Sequence, residues 1–328
     1  MPYNDLPADE LVTYSPELTS PPDLETFWST TLEESRAAAR PPVFNRVSTG
    51  LCLVDTFDVT FSGFGGHPVR AWLHLPANLE APIPAVVRYQ GYGGGRGTAL
   101  DVTIWTLAGY ATLLMDTRGQ GSAWGLGDTP DPVGSSPSYP GFMTRGILDP
   151  HEYYYRRVYT DAVLALEVMR AHPLVRADRV AVTGSSQGGG IALSVAALVP
   201  DLWTVLADVP FLCDFPRATQ IVDTEPYAEI VRYLKIHRNH TDIAFSTLAY
   251  FDAAGLVKHA KAPALFSVGL MDETCPPSTV YAAFNRYGGQ RQVEKRIVAY
   301  PFNDHEGGEA FQRVVQLEWL ASLKQASK

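Results

Sequence analysis

Thr183-Gly184-Ser185-Ser186-Gln187-Gly188-Gly189-Gly190 sets a serine between two glycines in Gly-x-Ser-x-Gly spacing. The apolar Val180-Ala181-Val182 precedes it, and an apolar run from Ile191 to Leu198 follows. Strand, sharp turn and helix in that order describe a nucleophile elbow, with Ser186 as the exposed hydroxyl. Glycines flank such a serine because the strand before it and the helix after it pass too close for a Cβ. A serine hydroxyl attacks only when a base takes its proton, so a histidine and an orienting acid must follow.

Of eight histidines, four follow Ser186: His237, His240, His259 and His305. His237 and His240 belong to a basic helical stretch, and His259 to the surface-like Val-Lys-His-Ala-Lys. His305 lies in Pro301-Phe302-Asn303-Asp304-His305-Glu306-Gly307-Gly308, a polar loop between the strand-like Arg296–Tyr300 and the last helix. It is the expected base. Three acids compete to orient it. Asp304 adjoins the histidine too closely to reach the far ring nitrogen, and Asp208 reads as a cap or turn residue. Asp272 ends the strand-like 264–271, at the carboxyl edge where open α/β sheets form their sites, and is the expected acid. The chain between Ser186 and Asp272 leaves room for an insertion, and that between Asp272 and His305 for one helix and one strand. Oxyanion donors are expected from the backbone N–H of Gln187, directly after the nucleophile, and from the glycine-rich Gln90-Gly91-Tyr92-Gly93-Gly94-Gly95. No Gly-x-x-x-x-Gly-Lys-Ser/Thr occurs, which weakens a phosphate-cradle reading of that loop.

These residues require a scaffold. Alternating stretches at 54–61 and 69–75, split by Ser62-Gly63-Phe64-Gly65-Gly66, predict an antiparallel hairpin. Short apolar strands at 85–89, 111–115, 180–182, 205–207 and 264–268 then alternate with helical segments near 99–108, 152–171, 188–199 and 277–287. That pattern predicts an α/β fold, a mostly parallel sheet covered on both faces, with the hairpin as its antiparallel edge. Residues 1–50 read as an N-terminal extension with a helix over 24–39 capped by Asp23. Residues 119–150 read as an ordered functional or interface loop, and 214–252 as a helical insertion beside the site. No internal repeat or linker divides residues 1–328, so one domain is expected.

Bulk properties narrow the partners. A hydrophobic content of 46% with 19% charged residues describes an ordinary globular chain. The net charge of −9 argues against nucleic acid or an anionic membrane surface. Cys52, Cys213 and Cys275 suit neither a disulfide framework nor a Cys-x-x-Cys metal site, and suggest a reducing compartment. The first ten residues lack a basic start and an apolar core, so a cytoplasmic location is expected.

With these pieces assembled, the chain resembles the acetyl xylan esterase / cephalosporin C deacetylase family of carbohydrate esterases, which has the α/β-hydrolase fold. The resemblance rests on Arg118-Gly119-Gln120, on Gly184-Ser185-Ser186-Gln187-Gly188 and on His305-Glu306. Residues 140–149 and Tyr153-Tyr154-Tyr155-Arg156-Arg157 reinforce it. It implies a Ser186, Asp272, His305 triad with the amides of Tyr92 and Gln187 as oxyanion donors. It further implies deacetylation of small substrates, such as acetylated xylo-oligosaccharides and cephalosporin C, within an intracellular homohexamer, without metal or cofactor. The 119–150 loop would then be a subunit interface. Tyr92 and Pro226 are candidates for the acyl-pocket wall. Arg118 reads as scaffold, bracing the site through an ion pair with Asp116, and Glu306 as a residue that orients the His305 loop. A serine peptidase of the prolyl oligopeptidase type shares this chain order, but no room for a propeller domain precedes residue 85. A non-catalytic scaffold with the same fold is the remaining alternative, and the intact triad argues against it.

Overall fold

Alternation and turn chemistry set the strands. Val54–Ser62 (β2) and Pro68–Pro76 (β3) pair as the expected hairpin, from Val54 opposite Pro76 to Ser62 opposite Pro68. Ile83–Tyr89 (β4), Ala111–Met115 (β5), Val175–Ser185 (β6), Thr204–Asp208 (β7), Ala264–Gly269 (β8) and Lys295–Tyr300 (β9) follow. The computed structural model describes residues 5–134 and 138–325; the extreme N-terminal residues and positions 135–137 of the long loop lie outside the described residues. With Val43–Val47 (β1), one nine-stranded sheet runs in the order β1-β2-β3-β5-β4-β6-β7-β8-β9. It is antiparallel from β1 to β5 and parallel from β5 to β9.

The hairpin is not the edge of this sheet. Val43–Val47 (β1) lies outside it, antiparallel to β2. Val-Phe-Asn-Arg-Val alternates weakly, and its residues stay exposed or half-buried, so no buried face marks the strand in sequence. The extension therefore contributes a strand as well as the helix Leu24–Ala37. The expected helix over 99–108 shrinks to the single turn Ile104–Leu107.

Each central strand presents alternate residues to two cores. Val87, Tyr89, Val182, Val205, Ala207 and Phe266 face the larger one, with the helices Tyr154–Ala171 and Gln187–Leu198. Val86, Ala181, Leu206 and Leu265 face the other, closed by Trp105, Trp319 and Leu320. Between β7 and β8, residues 214–252 form the helices Phe215–Ile221, Tyr227–Ile236 and Thr241–Leu248.

One topological feature positions the site. From β4 the chain crosses to β5 on one side, then returns past β4 to β6 on the other. The loops leaving β4 and β6 thus diverge from neighbouring strand ends, with Tyr89 level with Gly184. A crevice at such a reversal is where open α/β sheets bind ligands.

Candidate active site

Ser186 sits between β6 and the helix Gln187–Leu198 with φ 58° and ψ −122°, a strained backbone for a residue with a side chain. The elbow is held by its own main chain: Ser186 N–H donates to the Asp208 carbonyl at 3.0 Å, and the Ser186 carbonyl accepts from Phe211 N–H at 2.9 Å. The glycines are steric requirements. A Cβ at Gly184 would lie 2.3 Å from the Gly188 carbonyl carbon, and one at Gly188 would lie 2.3 Å from the Tyr89 carbonyl oxygen.

His305 Nδ1 lies 2.8 Å from Asp272 Oδ2. The carboxylate is fully buried in its ion pair, while the imidazole stays about one-third exposed. The other oxygen, Oδ1, accepts the backbone N–H groups of Thr274 and Cys275, each at 2.8 Å. Asp272 is therefore fixed from both ends. Asp304, by contrast, meets the Glu273 N–H, and Asp208 accepts from Ser267, Gln312 and Gln316. Neither is bonded to the imidazole. Glu306 holds the His305 loop, accepting from Asn303 Nδ2 at 2.6 Å and from Asp304 N–H at 2.9 Å.

The Ser186 hydroxyl makes no hydrogen bond to His305 in this arrangement. It meets the buried thiol of Cys275 instead, whose pKa burial pushes well above the usual range while the Ser186 contact pulls it back. The donor atoms of Cys275, Asp272 and His305 all lie within 4.8 Å of one another, so the sulfur sits beside both the Ser186 hydroxyl and the Asp272–His305 pair. Serine–histidine bonds in such sites often close only with substrate. These three residues are also the described residues best placed to hold a metal. However, Asp272 and the His305 Nδ1 are already committed to each other and to backbone amides. Sequence reasoning overlooked Cys275; the signal was its Asp-x-x-Cys spacing, which lets one aspartate place both thiol and imidazole.

The N–H groups of Tyr92 and Gln187 donate to no protein acceptor among the described residues. Gln187 also opens a helix, whose positive end favours a developing negative charge. Their loops are tied by Gln120. Its Oε1 accepts from Gly93 N–H at 2.7 Å, and its Nε2 donates to Gln187 Oε1 at 2.8 Å and to the Tyr154 hydroxyl at 3.1 Å. Tyr155 completes the knot, donating to Gln187 Oε1 at 2.8 Å. The Tyr92 hydroxyl donates to Glu229 Oε1 at 2.6 Å and accepts from Phe142 N–H at 2.8 Å. Glu229 Oε2 takes the Met143 N–H, so one carboxylate, its pKa raised by burial, joins the loop of Tyr92, the long loop and the helical insertion. A cavity of about 530 Å³ opens beside Tyr92, lined also by Tyr139, Pro140, Glu225, Glu229 and Arg232. Pro226 is not among its lining residues; it is buried at the start of the helix Tyr227–Ile236.

One expectation needs correction. Arg118 does not pair with Asp116. Its guanidinium forks onto Asp161, Nε to Oδ2 at 2.6 Å and Nη2 to Oδ1 at 2.7 Å, and reaches Asp131 at 3.4 Å, all buried. Asp116 instead accepts the backbone N–H groups of Arg96, Thr117, Asp128 and Thr129. At the end of β5 the aspartate closes the loop, while the arginine reaches across to the helix Tyr154–Ala171. Neighbouring charges in sequence need not share a partner in space.

Residues 1–323 match the acetyl xylan esterase (AXE1) family. The chain belongs to that family. The fold agrees with it. An acetyl xylan esterase from Paenibacillus sp. superimposes with a TM-score of 0.89 at 34% identity, covering 97% of this chain and 99% of that one. Acetyl xylan esterase 1 from Thermoanaerobacterium sp. gives 0.87 at 31% identity, covering the same shares. The acetyl esterase Axe7A of Xylanibacter ruminicola is 24% identical over 303 residues, covering 90% of this chain. This chain spans 66% of that relative's length.

Proposed function

We propose that this acetyl xylan esterase family member is a serine esterase that removes acetyl groups from small acetylated substrates, including xylo-oligosaccharides and cephalosporin C. The observation that carries this is the buried Asp272 bonded to His305, at 2.8 Å, set beside a strained Ser186 and two unclaimed amides. His305 takes the hydroxyl proton as Ser186 Oγ attacks the acetyl carbonyl. Asp272 holds the Nδ1–H tautomer and stabilises the imidazolium, while Tyr92 N–H and Gln187 N–H receive the oxyanion. The tetrahedral adduct collapses, the sugar or cephem alcohol leaves with the proton from His305, and an acetyl-enzyme remains. Water then adds to that carbonyl with His305 again as base, releasing acetate and restoring the serine. In this reading Cys275 releases the serine hydroxyl when substrate draws it toward the imidazole. Tyr92 remains the proposed wall residue near the acyl group; Pro226, buried and off that lining, is no longer proposed for it.

The decisive experiment is Ser186→Ala assayed with p-nitrophenyl acetate. Turnover should vanish while the thermal transition stays in place; near-wild-type rates would refute the assignment.

A homohexamer and a cytoplasmic location belong to the same proposal. Trp124, Leu126, Val133 and Tyr139 of the long loop are all more than half exposed, an apolar surface suited to burial between subunits. All three cysteines are free, in keeping with a reducing compartment. Native mass by light scattering tests the assembly: a monomer would remove the interface role of this loop.

A further inference from the structure

On the sheet face away from the helix Gln187–Leu198, the strand ends become polar. Val86 points into the Trp105–Trp319 core, and Arg88, two residues on, points the same way at the carboxyl end of β4. Thr183 lies level with Arg88 on β6, and Ser185 with Asp208 on β7. These side chains floor a cavity of about 400 Å³ closed by Gln312, Arg313 and Gln316 of the last helix, and His305 forms part of its wall.

Arg88 has an unresolved electrostatic problem. Burial lowers its pKa, and Arg313, a second cation facing the same space, lowers it further. Among the described residues neither guanidinium forms a hydrogen bond or ion pair with the protein. Asp101 and Asp208 offset this in part through space, but neither is bonded to either guanidinium. Asp208 is held by Ser267, Gln312 and Gln316, Asp101 accepts from Thr98, and Glu306 from Asn303 and Asp304. Glu309 remains, exposed at the rim. Arg88 is half-buried and Arg313 exposed, so both guanidinium groups are open to the cavity, and such a pair is well suited to fork onto a carboxylate. The space far exceeds an acetate ion. The hydroxyls of Thr183 and Ser185 beside the arginines suit the hydroxyls of a sugar ring.

We propose that this cavity binds the carboxylate of a sugar acid through Arg88 and Arg313. Resting on the esterase reading above, this makes acetylated saccharides that carry an acidic residue the preferred substrate class. Ser185 adjoins the nucleophile and His305 lines the cavity, so a sugar acid held there places its neighbouring unit next to the triad.

Calorimetric titration of the full chain with D-glucuronate, glucose and acetate tests this, on wild type and on Ser186→Ala. Glucuronate should bind saturably to both, glucose should not, and acetate should bind at least tenfold more weakly. Arg313→Gln, on the exposed face of the last helix, should weaken glucuronate at least tenfold and leave p-nitrophenyl acetate turnover unchanged. Arg88→Gln should do the same, and Arg313→Gln keeps the test intact should the β4 variant fail to fold. No saturable glucuronate binding, or equal affinity in wild type and Arg313→Gln, would overturn the site. Acetate binding as tightly as glucuronate would overturn the sugar assignment. Because binding is read on a variant that cannot turn over, saturable glucuronate in a protein without esterase activity would sink the function and leave the site standing.

Discussion

Replacing Asp272 by Asn should abolish most activity while leaving the fold intact, and the structure dictates why. An asparagine here can turn either end toward His305. The Oδ1 position faces two backbone donors, Thr274 N–H and Cys275 N–H, both at 2.8 Å. Turning the amide –NH₂ toward them would orphan both, at about 1–3 kcal/mol for each buried donor. Even at the lower bound, about 2 kcal/mol in total, only about 3% of molecules would adopt that orientation. In the remainder the –NH₂ faces His305 Nδ1, which must then be the unprotonated nitrogen. The proton moves to Nε2, and the ring can no longer accept from Ser186. The equivalent change in serine proteases lowers kcat about 10⁴-fold, some 5.4 kcal/mol of barrier. The flipped population caps residual activity near 3%, so kcat for p-nitrophenyl acetate should fall at least about 30-fold and as much as 10⁴-fold. The asparagine keeps its one oxygen on the Thr274 and Cys275 amides, so the thermal transition should move by only a few degrees. A variant within tenfold of wild type would refute the tautomer argument. So would a loss of activity matched by a loss of folded protein, because Asp272 would then be structural.

Arg118→Met removes one partner of a buried ion pair and should destabilise the chain by about 3–5 kcal/mol, read from the urea midpoint, because Asp161 is left as an uncompensated buried charge. A change below 1 kcal/mol would show that the fork to Asp161 is not structural. Gly188→Ala would force a Cβ to within 2.3 Å of the Tyr89 carbonyl oxygen, so β4 and the helix Gln187–Leu198 must separate. Both thermal stability and turnover should drop, and a variant unchanged in either would contradict the packing. Burial raises the carboxyl of Asp208 from 3.8 to about 6. Its stabilising contribution is present below pH 4 and is lost as pH rises through 6, because the unfolded chain releases that proton earlier. Asp208→Asn removes this dependence, so its thermal midpoint should gain on wild type between pH 4 and pH 7. A gap that is constant or narrows over that range would refute the shift.

How much was legible in the residues varied with the range of the interaction. The elbow was readable because Gly184 and Gly188 record a close approach of strand and helix, a local steric demand that few residues meet. Asp272 and His305 were readable because strand ends and chain order limit which acid and which histidine can arrive together, and their bond at 2.8 Å fits that reasoning. The central strands were readable from short apolar runs of a length that suits a sheet buried on both faces. β1 was not, because an exposed edge strand buries no face and leaves no period to detect.

The sequence by itself singled out the Ser186 elbow, the acid and histidine that pair after it and an α/β architecture, since each is written in local pattern and spacing. Only the tertiary structure decided that Arg118 pairs with Asp161 rather than Asp116, that Gln120 ties the loops of Gly93 and Gln187, and that Cys275 stands beside Ser186 and the Asp272–His305 pair. Those choices depend on which side chains converge after the chain reverses direction around β4. A pairing between distant residues leaves no repeat along the chain, and burial removes the water that would otherwise satisfy each group alone.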